Sequence, residues 1–147
     1  MGMVMGNVNF AGVFLGATAF FVLGTLWYTV LFGGAWRRLT GISDEMATRS
    51  ATIGGRPLRR NPTWLVMVLC FAFELLIALT LGHQYAMTQP SDRAKMMIAF
   101  GYGLMLMTPA VGINYLFQMR PGRLFAIDAA YLTTGMVLMG AIFCWLD

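Results

Sequence analysis

The sequence predicts an all-α membrane protein: a bundle of four transmembrane helices with a short interfacial helix after the first span. Three observations predict it. Apolar stretches at residues 8–32, 63–87, 95–117 and 124–146 fill most of the 147-residue chain, and about 20 residues at 1.5 Å rise cover a hydrocarbon core of about 30 Å. Hydrophobic residues make up 59% and charged residues 11%, with a mean hydropathy of +0.69, whereas charged residues approach about a quarter of a soluble domain. The basic residues gather at the ends of the apolar stretches, as membrane topology requires. Four spans leave one connection of any size, 33–62, so residues 1–147 are expected to form a single four-helix domain with no soluble catalytic part.

The first stretch is preceded by no Lys or Arg and is longer than a signal-peptide core, so it is expected to be retained. Gly6 stands where a myristoylation signal has Ser or Thr, which argues against that modification. Gly12 and Gly16, with Ala19 and Leu23 on nearly the same face, allow a neighbouring helix to approach closely. Packing inside the bundle is the expected use of that face. Trp27, Tyr28 and Trp36 read as an aromatic belt at its end.

Beyond Gly33, residues 35–39 set Trp36 and Leu39 around Arg37 and Arg38 and are expected to lie in the interface plane. A second short helix is expected from Ser43, with Asp44 and Glu45 in its first turn and Met46 and Ile53 on one side, ending at Gly54-Gly55. The basic run containing Arg56, Arg59 and Arg60 then leads into the second span and suits anionic lipid headgroups. Nucleic acid is not expected as a partner, because no groove-reading or aromatic framework accompanies the charge.

Eight of the ten Lys and Arg residues lie in the 33–62 and 118–123 connections, leaving Arg93 and Lys95 on the other side. By the positive-inside rule these two loops are cytoplasmic and both termini are outside. Cys70 and Cys144 then belong to opposite halves of the membrane and cannot form a disulfide within one chain.

Thr108-Pro109 falls mid-way along the third span, where proline removes a backbone donor and presses on the carbonyl of Met105, so a kink is expected. The segment Trp27-Tyr28-Thr29-Val30-Leu31-Phe32 before Arg37-Arg38-Leu39 is echoed by Asn114-Tyr115-Leu116-Phe117 before Arg120 and Arg123-Leu124. The echo suggests two helical hairpins of the same orientation.

Ionisable groups inside a membrane are costly and mark candidate sites. Glu74 is one, near the midplane of the second span. Its insertion cost of about 3 kcal/mol is offset by eleven Leu, Ile, Val and Phe residues between Leu65 and Leu81, each contributing about 0.3–0.6 kcal/mol. A protonatable Glu74 can donate to a helix carbonyl or bind a proton or ligand. Asp128 is the other, about 6 Å inside the cytoplasmic boundary by helix rise. Asn114, Arg120 or Arg123, and Tyr131 are expected near it, either as a clamp that fixes helix register or as a headgroup or substrate site. Arg37, Arg38, Arg59, Arg60, Arg120 and Arg123 are the expected headgroup contacts. His83 lacks companions for a metal site, and the thirteen methionines are scattered as apolar filler. No metal or other cofactor is expected, and no nucleophile, P-loop or dinucleotide motif is present.

Phe21-Val22-Leu23-Gly24-Thr25-Leu26-Trp27-Tyr28, Leu31-Phe32-Gly33, Trp36 and Leu39-Thr40-Gly41-Ile42-Ser43 resemble the opening signature of the bacterial membrane family known as domain of unknown function 1761. Asn114-Tyr115-Leu116-Phe117, Arg120-Pro121, Leu124-Phe125 and Ile127-Asp128-Ala129 with Tyr131 resemble its closing signature. Gln118-Met119 departs from the Glu-Gly pair often found before the arginine. The resemblance implies four spans in the bacterial cytoplasmic (inner) membrane and brings no established activity.

Three functions of different kinds follow. The first is a non-catalytic membrane module or assembly subunit, whose partners are membrane lipids and a second copy or another membrane protein. The second is a small transporter or ligand-binding bundle using Glu74, with Pro109 shaping a cavity. The third is an enzyme acting on a lipid or quinone through Asp128 and Tyr131.

Overall fold

The computed structural model describes residues 7–40, 52–53, 56–57 and 61–147. Four helical spans of 22 to 26 residues, Phe10–Leu31, Thr63–Thr88, Asp92–Phe117 and Gly122–Leu146, are each long and apolar enough to cross a membrane. A short helix, α2 (Gly33–Thr40), follows the first span. The fold is the all-α, four-span bundle the hydropathy predicts.

The first span begins as α1 (Phe10–Leu26), capped by the Asn9 side chain, which accepts from the Gly12 N–H at 2.9 Å. It ends in a π-helical turn, Trp27–Leu31. The second span is the continuous helix α3 (Thr63–Thr88), closed by Gln89 at φ 44° with its N–H on the Tyr85 carbonyl. The third begins three residues earlier than hydropathy suggests, as α4 (Asp92–Gly101), because the Ser91 side chain caps it and Asp92 suits the positive helix end. The fourth is α6 (Gly122–Leu146).

Proline 109 is absorbed by a change of helix type. The third span passes from α4 through a π-helical stretch, Tyr102–Met107, into α5 (Thr108–Phe117), with Pro109 in the first turn of α5. The helical backbone continues through Met107 and Thr108, so the proline sits where the span returns from the wider turn to α geometry. The Gly103 carbonyl accepts both the Thr108 backbone N–H and, at 2.8 Å, the Thr108 hydroxyl.

One expectation is corrected in the long connection. Thr52–Ile53 is a short strand paired antiparallel with Arg56–Pro57, so Ile53 does not lie on a helix. Two β-branched residues before Gly54-Gly55 favour an extended pair over a helical turn. Ser43, Asp44, Glu45 and Met46, assigned to the same expected helix, lie outside the described residues.

The first span packs against the second and the fourth, and the third packs against the fourth. The first and fourth spans are therefore central and the other two flank them. Phe20, Met136, Met139 and Phe143 fill the seam between the central pair. Because lipid tails are as apolar as these side chains, close van der Waals contact rather than escape from water holds the seam. Small residues make that contact possible. Gly12 and Gly16 lie beneath Phe143 and Met139, so their face serves packing within the bundle, and a Cβ on Gly135 would stand 1.7 Å from Phe20 Cε2. The outward faces are apolar: Val30, Met105, Leu116 and Trp145 are all more than 70% exposed.

Candidate functional site

The site begins with the π turn of the first span. A π turn spreads one rotation over more residues than an α turn, so neighbouring side chains stay closer to one face. Trp27 and Tyr28 consequently both reach the fourth span. Trp27 Nε1 donates to the Ile127 carbonyl at 3.2 Å, and Tyr28 Oη donates to Asp128 Oδ1 at 2.6 Å. Trp27 is thus an interhelical donor.

Asp128 is buried, 8% exposed, and collects a second phenol from the other side. Tyr115 on the third span donates to Asp128 Oδ2. Both carboxyl oxygens are therefore hydrogen-bonded to phenols of other spans. Tyr28, Asn114, Tyr115, Gln118, Asp128 and Tyr131 line most of a cavity of about 310 Å³. Asn114 and Gln118 are exposed, so the cavity reaches the surface between the third and fourth spans.

One helical turn beyond Asp128, Tyr131 points to the other acid. Its hydroxyl donates to Glu74 Oε1 at 3.1 Å. The ring reaches there because Gly24 leaves room: a Cβ on that residue would be 2.6 Å from Tyr131 Oη. Glu74 is 8% exposed, and its second oxygen, Oε2, is buried with no hydrogen-bond partner. Beside it is a cavity of about 380 Å³ whose lining includes Phe21, Gly24, Tyr28, Met67, Glu74 and Tyr131. Tyr28 and Tyr131 border both cavities and form the wall between them.

The sequence candidates Glu74, Asn114, Asp128 and Tyr131 thus fall around two adjoining cavities. The expected arginine companions do not. Arg120 donates to Gln118 Oε1 at 2.9 Å and lies 5.7 Å from the Tyr115 ring centre, while Arg123 is exposed at the start of α6. Neither is paired with Asp128, whose two oxygens accept from phenols. Glu74 likewise meets a tyrosine of another helix instead of a carbonyl of its own. Arg37 and Arg38 are on the exposed side of α2, and Arg59 and Arg60 lie outside the described residues.

Tyr28 and Tyr115 were not among the sequence candidates, yet both close on Asp128. The signal that could have found them is the echo ahead of the 33–62 and 118–123 connections, in which Trp27-Tyr28 aligns with Asn114-Tyr115. The repeated tyrosine delivers one phenol from each flank of the fourth span to a single carboxylate.

A second polar cluster occupies the opposite end of the bundle. Lys95 is 7% exposed and forms an ion pair with Asp147 at 2.7 Å, with Asp92 at 3.5 Å. Asn9 Nδ2 donates to Asp147 at 2.8 Å, and Tyr85 Oη donates to the Lys95 carbonyl at 2.6 Å. Burial raises the Asp147 carboxyl, but hydrogen bonds from Asn9 and Lys95 together with the Lys95 charge outweigh it and hold the group below its ordinary range. Among the described residues, no group of three or more His, Cys, Asp or Glu side chains is placed to hold a metal ion, and Cys70 and Cys144 are free thiols.

A family model described as "Protein of unknown function (DUF1761)" matches residues 11–144. No curated protein and no solved structure gives a match.

Proposed function

The chain belongs to the DUF1761 family, and from that premise we propose that it is a non-catalytic, multi-pass module of the bacterial cytoplasmic membrane that holds a small hydrogen-bonding molecule at Glu74. The observation that carries this reading is the partnerless Glu74 Oε2 beside a cavity of about 380 Å³. A buried polar atom left unpaired costs about 1–3 kcal/mol, and the cost is removed if a ligand supplies the missing hydrogen bond. The cavity volume falls within the usual range of about 300–1,000 Å³ for small-molecule sites. Its neighbours are largely apolar, so the molecule it suits has an apolar body and one polar group.

Binding is favoured over proton transfer by Asp128 and Tyr131, because the Tyr131 hydroxyl is engaged with Glu74 and not with Asp128. The excess of Lys and Arg in the 33–62 and 118–123 connections supports placing those loops in the cytoplasm and both termini outside.

The test is native mass spectrometry of the protein released from its own membranes with minimal detergent exchange. The expected result is a retained small molecule that is depleted in Glu74→Gln and absent in Glu74→Leu. A ligand-free protein, or equal retention in both variants, would refute the binding reading. A stoichiometric protein partner in place of a small molecule would make assembly the function to pursue.

A further inference from the structure

We infer that the cavity around Asp128 is a second site, distinct from that at Glu74, which binds an organic ammonium group. Asp128 is more than nine-tenths buried, and among the described residues no Lys or Arg is within ion-pair distance of it. Its oxygens are bonded to two phenols, neither of which supplies a positive charge. A buried, uncompensated carboxylate carries a desolvation cost of several kcal/mol that a cation lowers.

The walls add a second attraction. Tyr28, Tyr115 and Tyr131 all line the cavity, and their rings attract cations through the ring quadrupole, as aromatic cages for alkylammonium groups do. Tyr115 already has a cation near it: the Arg120 guanidinium carbon lies 5.7 Å from its ring centre. Arg120 borders a neighbouring cavity and not this one, so it leaves the Asp128 side open. At about 310 Å³ the space accepts an ammonium group with its substituents. Exposed Asn114 and Gln118 at its rim provide polar contacts for whatever the ammonium is attached to.

Asp128 lies in the second turn of the fourth span, about 9 Å along the helix from Gly122, so the cavity is within reach of a group entering from the loop end. The ammonium can therefore belong to a phospholipid headgroup or to a free amine. Both sources share the chemistry that the cavity recognises.

Calorimetric titration of the full chain in nanodiscs made only of phosphatidylglycerol tests the free amine, with choline and ethanolamine as probes and 3,3-dimethyl-1-butanol as the neutral isostere of choline. Native mass spectrometry from nanodiscs of mixed phosphatidylethanolamine and phosphatidylglycerol tests the headgroup. Binding of either amine but not of the alcohol supports a free ammonium ligand; preferential retention of phosphatidylethanolamine supports a headgroup ligand.

In both arms Asp128→Asn is expected to weaken binding at least about tenfold, and Tyr115→Leu, which keeps the carboxylate and removes one ring, about two- to fivefold. The Glu74 reading is tested by ligand retention in Glu74→Gln and this one by ammonium binding in Asp128→Asn, so their failures are distinguishable. Absence of binding in both arms overturns the inference. So does binding that survives Asp128→Asn unchanged or, where that variant does not fold, binding that survives Tyr115→Leu unchanged.

Discussion

Tyr28 stands edge-on to Tyr131, with ring centres 5.1 Å apart and planes at 70°, and the two hydroxyls serve different carboxylates. Tyr28 donates to Asp128, and Tyr131 donates to Glu74. One aromatic contact between the first and fourth spans thus separates two acids, each bordering its own cavity. Such edge-to-face pairs favour a particular geometry and add about 0.5–1.5 kcal/mol beyond area burial.

Tyr131→Phe keeps this ring contact and removes only the donor to Glu74. Interhelical hydrogen bonds in membranes are modest, so the variant is expected to lose about 1 kcal/mol in a reversible unfolding assay in mixed micelles. An unchanged stability would mean that Glu74 gains nothing from the tyrosine.

Gly135→Ala should be far more damaging. Its Cβ would stand 1.7 Å from a ring carbon of fully buried Phe20, in the seam between the central spans. A loss of about 1–3 kcal/mol or more is expected, as for overpacked cores. Gly101→Ala is the internal control: nothing lies within 4 Å of its Cβ, and thermal stability should hold or rise by up to about 1 kcal/mol.

Met119→Gly is expected to stabilise the protein. Met119 has φ 52°, in the left-handed region, and its side chain is 93% exposed, so glycine relieves backbone strain and removes little packing. The gain should approach about 1 kcal/mol, read from the same unfolding assay.

The Lys95–Asp147 pair predicts an acid-sensitive step. Asp147 titrates below its ordinary value of 3.8 in the folded protein, so its stabilisation is full above that value and is lost as pH falls through the folded-state value. Melting temperatures measured from about pH 5 to about pH 2 should fall across that window. Asp147→Asn should lower stability at neutral pH and flatten the acid step.

Orientation is open to direct labelling. With Cys70 and Cys144 replaced by serine, Gln89→Cys should react with a membrane-impermeant maleimide on intact spheroplasts, and Gln118→Cys only after lysis. The opposite pattern would invert the proposed topology.

The four spans were legible because hydropathy over about 20 residues reports the solvent directly, and hydrocarbon excludes long polar stretches. Glu74 and Asp128 were legible for the same reason, since a carboxyl inside such a stretch stands out against its neighbours. Partner choice was not legible. Both arginines near Asp128 in sequence turn elsewhere, while Tyr28, 100 residues away, closes on it. Lys95 was readable as a boundary charge, but its burial against Asp147 depends on how two helix ends converge.

By itself, the sequence determined the medium, the number of crossings and the two acids that the medium makes expensive, because these depend on composition along a local window. The tertiary structure decided which donors meet those acids and where empty space remains. A π turn in the first span sets the reach of Tyr28, and Gly24 opens the path of Tyr131 to Glu74. Both depend on the separation and rotation of neighbouring helices, quantities that no single window of residues contains.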